Sequence, residues 1–258
     1  MKILVVYISL ILGFFSISAQ QRESAFSDNE FIRFKIKYLG FKTSEATLET
    51  KRETFKGKDV VHIIGKGRSS KFLSFLFKVR DQYETYMDAK TDIPYRFVRN
   101  VSEGGYTKNI IIDFDQEKQE ATVNDLKHKT VKTFNTPNAV QDMVSAFYYF
   151  RNHIDRENLK LNQEEELSLF FDNENFNFKL KYLGTQTVRT KFGKINCLMF
   201  RPIVMADRVF KEEESLTIWV SDDKNKIPVK ITADIVVGSI TASLSEYKGL
   251  KYPLSKVN

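Results

Sequence analysis

The chain has 258 residues, 42% apolar and 13% aromatic, with 11 glycines and 5 prolines. That suits one large or two modest folded domains and excludes a disordered or linker-dominated chain. The formal net charge is +7, but lysines and arginines are interleaved with aspartates and glutamates along almost every segment, so the concentrated stripe of a nucleic-acid binder is missing.

In chain order, Lys2, the apolar run Ile3 to Phe15 and the small residues of "SISAQ" read as a secretory signal peptide over 1–19, cut after Ala19. The run falls short of a spanning helix, and no later stretch reaches that length, so no transmembrane segment is expected in the mature chain. No cysteine lies near the cut, which argues against a lipoprotein anchor. Cys197 is the single cysteine, so no internal disulfide forms and stability must come from the core. Its setting, "KINCLMF", predicts a buried, inert thiol.

The mature chain reads as a first β-meander half over 20–135, a helix and connection over 136–160, and a second β-meander half over 161–258. "FIRFKIKYL" alternates Arg33, Lys35 and Lys37 with Ile32, Phe34 and Ile36, the pattern of a strand with one wet and one dry face. "SEATLETKRETF" and "VVHIIGKG" continue it around a turn at Lys56 to Asp59. Phe72, Phe75 and Leu76 share helical spacing after two serines, predicting a short helix over about 70–77 lying on the sheet. "VRDQYETYMD", "PYRFVRNVS", "YTKNIIIDFD" and "EATVND" read as four more strands joined by hairpin turns. A longer helix is predicted over about 137–152, with Thr136 as N-cap and Pro137 in the first turn. Val140, Met143, Phe147, Phe150 and Ile154 form its apolar stripe, read as core packing.

Two phrases recur in order. "FKIKYLG" (Phe34 to Gly40) returns as "FKLKYLG" (Phe178 to Gly184), and "DAKTDIP" (from Asp88) as "DDKNKIP" (from Asp222). "FK" at Phe77-Lys78 has a counterpart at Phe210-Lys211. Ordered landmarks point to an internal duplication. In the second phrase a strand ends, a tight turn follows, and proline opens the next strand, where its missing N–H does least damage. The first phrase reads as a strand that opens each half, with its lysines facing water.

Motifs for chemistry are few. His62, His128 and His153 have no partner at metal-ligand spacing, so neither metal nor cofactor is expected. No nucleophile elbow or dinucleotide loop is present, and no catalytic residue is assigned. The densest stretch is "KVRDQYETY". As a strand it puts Lys78, Arg80, Glu84 and Tyr86 on one face and Tyr83 on the other, with Arg99 in the next strand. One reading makes Lys78, Arg80, Tyr83, Glu84, Tyr86 and Arg99 a pocket for an anionic head group with an aromatic wall. The simpler reading is cross-strand ion pairs on a solvated sheet face.

"YLGFKTSEATLE", "GRSSKFLSFLFKVRDQYETYMD", "VQDMVSAFYYFR" and "IPVKITADIVVGSITASLSEY" together resemble the exported bacterial family called domain of unknown function 3108, over about Phe31 to Tyr247. The resemblance implies a β-rich envelope protein in the periplasm of a Gram-negative bacterium and implies no activity. The "W-x-x-D-x-K-x-x-I-P-x-K" run from Trp219 to Lys230 is similar to hairpins of the LolA-like lipoprotein-carrier superfamily. That likeness implies an open sheet curled around helices. The expected fold is mainly antiparallel β, two related meanders with one central helix, as a curved sheet or barrel-like lobes. The expected function is non-enzymatic binding or carriage of a lipid or glycolipid. The alternatives are an assembly factor that binds another envelope protein through a strand edge, and, last, a glycan hydrolase.

Overall fold

A computed structural model describes residues 23–71, 73–203, 216–235 and 238–257. The leader read at 1–19 lies outside them, as do Phe72 and the Phe210-Lys211 landmark.

Fourteen antiparallel strands make one curved, unclosed sheet. The first six form a meander: β1 (Phe31–Tyr38), β2 (Phe41–Phe55), β3 (Lys58–Ser69), β4 (Val79–Asp88), β5 (Pro94–Glu103) and β6 (Tyr106–Asp115). A four-residue helix, α1 (Leu73–Leu76), joins β3 to β4. β7 (Glu120–Asp125) and β8 (Thr130–Asn135) extend the meander to an edge, and the helix α2 (Met143–His153) follows. The second half is again six strands in meander order: β9 (Glu164–Phe171), β10 (Glu174–Thr190), β11 (Gly193–Ile203), β12 (Leu216–Ser221), β13 (Pro228–Asp234) and β14 (Ser239–Lys248). β14 pairs with β1, so the halves share one sheet with β8 and β9 as its outer strands.

Alternation sets the layers. In β1, Ile32 and Phe34 are buried while Lys35 and Lys37 are exposed. Each such apolar side chain, fully buried, contributes about 1.5–3 kcal/mol. The sheet rolls until its far edge tucks inside. Phe170 of β9 is buried among Phe97, Ile112 and Phe114 of β5 and β6. Asn175 Nδ2 donates to the Asn135 carbonyl at 2.8 Å, linking the β9–β10 hairpin to β8.

α2 fills the remaining concavity and touches both halves. Tyr148 packs with Val61, Ile63 and Met87, while Phe150 and Ile154 pack with Leu180, Leu198, Phe200 and Val220. Its start differs from the predicted 137–152. The N-cap is Asp142, not Thr136, and Asp142 accepts the N–H groups of Val144 and Ser145 while Ser145 answers from the other side. The residues before it are held by β9 instead. The Gln141 N–H donates to the Ser168 carbonyl, and the Phe170 N–H to the Gln141 carbonyl. Extended backbone bonded to a neighbouring strand cannot also form a first helical turn.

The predicted stripe is corrected as well. Met143 is exposed, whereas Tyr148 and Arg151 are buried. A helix enclosed by two half-sheets buries a wider arc than a single stripe. The short helix spans Leu73–Leu76 rather than 70–77, and Phe75 is 91% exposed instead of lying on the sheet. β8 was not among the predicted strands. Almost every residue in it is exposed, so it carries little burial signal.

The two recurring phrases separate. Both "I-P" hairpins join the fourth and fifth strands of a meander, β4–β5 and β12–β13, with Pro94 and Pro228 opening the next strand as expected. "FKIKYLG" ends in the β1–β2 turn at Gly40, whereas "FKLKYLG" lies inside β10, the second strand of its half. There Gly184, at φ +103°, sits at a bulge and the strand continues. The phrase therefore does not open each half.

Candidate functional site

The six residues singled out in the sequence do not gather at one point: Tyr83 and Arg99 meet on one face of the sheet, Glu84 and Tyr86 on the other. Thr85 and Met87 are fully buried, which fixes the inner face of β4, and Tyr83 and Arg99 share that face. Lys78, just before β4, and Arg80 are exposed, and Arg80 stands opposite Arg68. Glu84 and Tyr86 lie on the outer face around His62: Glu84 is 2.7 Å from Nε2, and the Tyr86 ring stacks on the imidazole at 4.1 Å. Glu84 and Tyr86 are thus partnered with a buried histidine, not with the cations of a solvated face.

On the inner face the Arg99 guanidinium is 2.7 Å from Asp172, which also bonds Lys108. Burial pushes the Asp172 carboxyl up, but Lys108 and Arg99 outweigh it and hold it below the usual range. Burial raises the Tyr83 phenol, with Arg99 opposing that shift. Arg99 also lies over the Phe171 ring at 4.8 Å. This cluster ties the β9–β10 turn to β5 and β6, and its cations are spent on Asp172.

A different set of residues forms a groove of about 500 Å³. Lys35 and Lys37 of β1 line one wall, and residues 186–191 at the end of β10 line the other. Val229, Lys230, Ser243, Leu244 and Ser245 lie between them, in a floor where Lys35 and Lys230 both stand opposite Ser243. Five cationic side chains converge here, Lys35, Lys37, Arg189, Lys191 and Lys230, and among the described residues no carboxylate lines the groove.

The local fold explains the convergence. Lys35 projects opposite Ile32 and Phe34 because a strand alternates. Beyond the Gly184 bulge, β10 places Val188 in a small second core with Ile195, Cys197, Trp219 and Val229. The next turn is pinned by Phe192 against Tyr247, ring centroids 4.9 Å apart. Trp219 Nε1–H donates to Gln186 Oε1 at 2.7 Å, and Lys230 Nζ lies 4.7 Å over the same indole. Cys197 is buried here as expected, and burial pushes its thiol up to about 12, far from a reactive thiolate.

Chemically, the groove offers ammonium and guanidinium donors beside the half-buried side chain of Val188 and the stems of the lysines themselves. That combination suits an anionic group carrying an apolar portion. Sequence reasoning placed Lys35 and Lys37 in water and passed over them. The available signal was the absence of carboxylates around "TVRTKFGK" (Thr187 to Lys194), a run with Arg189, Lys191 and Lys194. Among the described residues, no group of three or more His, Cys, Asp or Glu side chains could hold a metal ion.

Comparison with known proteins adds family and fold. The model of a family described as "Protein of unknown function (DUF3108)" matches residues 33–245. No curated protein matches the chain. Among solved structures, the chain is similar to the crystal structure of a beta-barrel-like protein of domain of unknown function DUF1849 from Brucella abortus. The TM-score is 0.56 at 11% identity, over 87% of this chain and 98% of that one. At that identity the likeness is one of fold.

Proposed function

The chain belongs to the DUF3108 family, and we propose that it is a non-enzymatic binding protein for an anionic amphiphile of the cell envelope. The observation that carries this reading is the groove, where five cations meet with no carboxylate among the described lining residues. Isolated lysines on a surface are ordinary, but five cations with only Glu45 opposite Lys35 and Glu246 near Lys191 at the margin repel one another, and an anion relieves that repulsion. The sheet's concavity is a poorer candidate, because Tyr148, Phe150 and Phe170 occupy it. The ligand's charged group therefore belongs on the outside, with a short apolar portion against Val188 and the lysine stems. Export to the periplasm is part of the proposal and rests on the leader pattern at 1–19.

Partner binding by strand addition is less well supported. β8 is an outer strand, but Lys129 and Lys132 flank its exposed Val131, the kind of charge that keeps edges from pairing.

The test is calorimetric titration of the mature protein with lysophosphatidylglycerol below its micellar concentration, with inorganic phosphate alongside. Saturable binding of the amphiphile, weakened by salt, is expected. The Lys35→Glu/Arg189→Glu variant should lose at least about tenfold in affinity, since each charge-assisted hydrogen bond is worth about 1.5–3 kcal/mol. Equal affinity in the variant, or no binding by the parent, overturns the proposal.

A further inference from the structure

Six large apolar side chains exposed in the structure share one end of the sheet: Leu39, Phe41, Phe75, Phe77, Tyr106 and Leu126. They lie at the β1–β2, β3–β4, β5–β6 and β7–β8 connections. Neighbouring strands run in opposite directions, so every second connection of a meander falls on the same rim. Phe41 is 78% and Phe75 91% exposed, well beyond the scattered half-exposure of ordinary surfaces.

The rim is built, not incidental. Gly104, at φ +52°, has the Phe77 ring so close that a Cβ there would overlap it. Gly238, at φ +83°, receives Leu39 in the same way. Two glycines thus seat two rim side chains against hairpin turns.

The rim is also basic. Residues 37–42, 68–80, 103–108 and 125–130 hold nine lysines and arginines against Glu103 and Asp125. Glu45 bonds Lys42 and Arg68, and Asp172 bonds Lys108, from adjacent positions. Asp81, which follows Arg80 and accepts the Ser102 N–H beside Glu103, belongs here too, and counting all three leaves nine cations against five carboxylates.

We propose that this rim docks on the surface of an anionic lipid bilayer. Aromatic and aliphatic tips surrounded by lysines are the chemistry of an interfacial anchor: the tips enter the acyl boundary while the cations meet the head groups. Charge favours an anionic bilayer: the tips spread over six strand intervals from β1 to β7, up to about 29 Å along the sheet, with cations beside each connection, and an anionic lipid surface meets them all at once. The inference stands apart from the groove, although Lys37 joins the two: it lines the groove and precedes Leu39 by two residues.

The test is flotation of the mature protein with vesicles of phosphatidylglycerol and phosphatidylethanolamine, and with phosphatidylcholine vesicles alone. The protein should float with the anionic vesicles and remain below with the zwitterionic ones. The Phe41→Ser/Phe75→Ser variant should lose at least about fivefold of the vesicle-bound fraction with an unchanged melting temperature, because both side chains are exposed. Failure of the parent to float, or equal flotation of the variant, overturns the proposal. So does sedimentation that shows a lipid-free dimer abolished in the variant, because the rim would then belong to a second copy of the chain.

Discussion

Arg151 and Glu30 show how much one buried pair can organise. The guanidinium reaches Glu30 at 2.6 and 2.8 Å and donates twice to the Asn225 carbonyl, joining α2, the N-terminal segment and the β12–β13 turn. Burial works against the charge on Arg151, and Glu30 more than restores it. Replacing Arg151 with Met should cost about 3–5 kcal/mol in urea unfolding at neutral pH, because Glu30 would stay buried without its partner. Adding Glu30→Gln should recover part of that loss. A cost under about 1 kcal/mol for Arg151→Met would show that the pair is not what holds the three segments together. Neither residue was legible in the sequence. Arg151 sits in an apolar run as a lone cation, and its partner lies 121 positions away. Lys35 was legible only halfway: alternation turned it outward, but nothing local in "FKIKYLG" brings residues 186–191 opposite it.

At the scale of the element, period-two alternation and turn residues revealed most strands because each strand carries its own pattern. The start of α2 was misread because it is decided by competition. Pro137 suits a first helical turn, but β9 claims the Gln141 backbone, so the helix begins at the next residue able to cap it. That cap, Asp142, is fully buried, and burial pushes its carboxyl up to about 6, although Thr85 and the capping N–H groups favour the charged form. The raised value means that the folded state holds the proton more tightly than the unfolded chain does. The resulting stability is fully present below the unfolded value near 3.8 and is lost as pH rises through about 6. The change is at most roughly 3 kcal/mol. Asp142→Asn keeps a good N-cap and cannot titrate, so its melting temperature should fall less than the parent's between pH 4 and pH 6. Identical pH profiles for the two proteins would contradict a titrating cap.

For the whole molecule, the sequence showed two meanders and a helix between them but not how the halves meet. The β1–β14 pairing and the inward roll of β9 are contacts between opposite parts of the chain, and no periodic pattern records them. Those same features decide where a ligand can lie. The roll and α2 fill the interior, while the bend of β10 against β1 and β14 opens the cationic groove outside. The central claim is that this groove holds an anionic amphiphile. Its most direct test is native mass spectrometry of the full chain, expressed in a Gram-negative host and extracted gently. The parent should carry an added mass that fragments to an anionic amphiphile, and the Lys35→Glu/Arg189→Glu variant should fly at its bare mass. If both proteins fly bare, or both keep the same adduct, the groove is not the binding site.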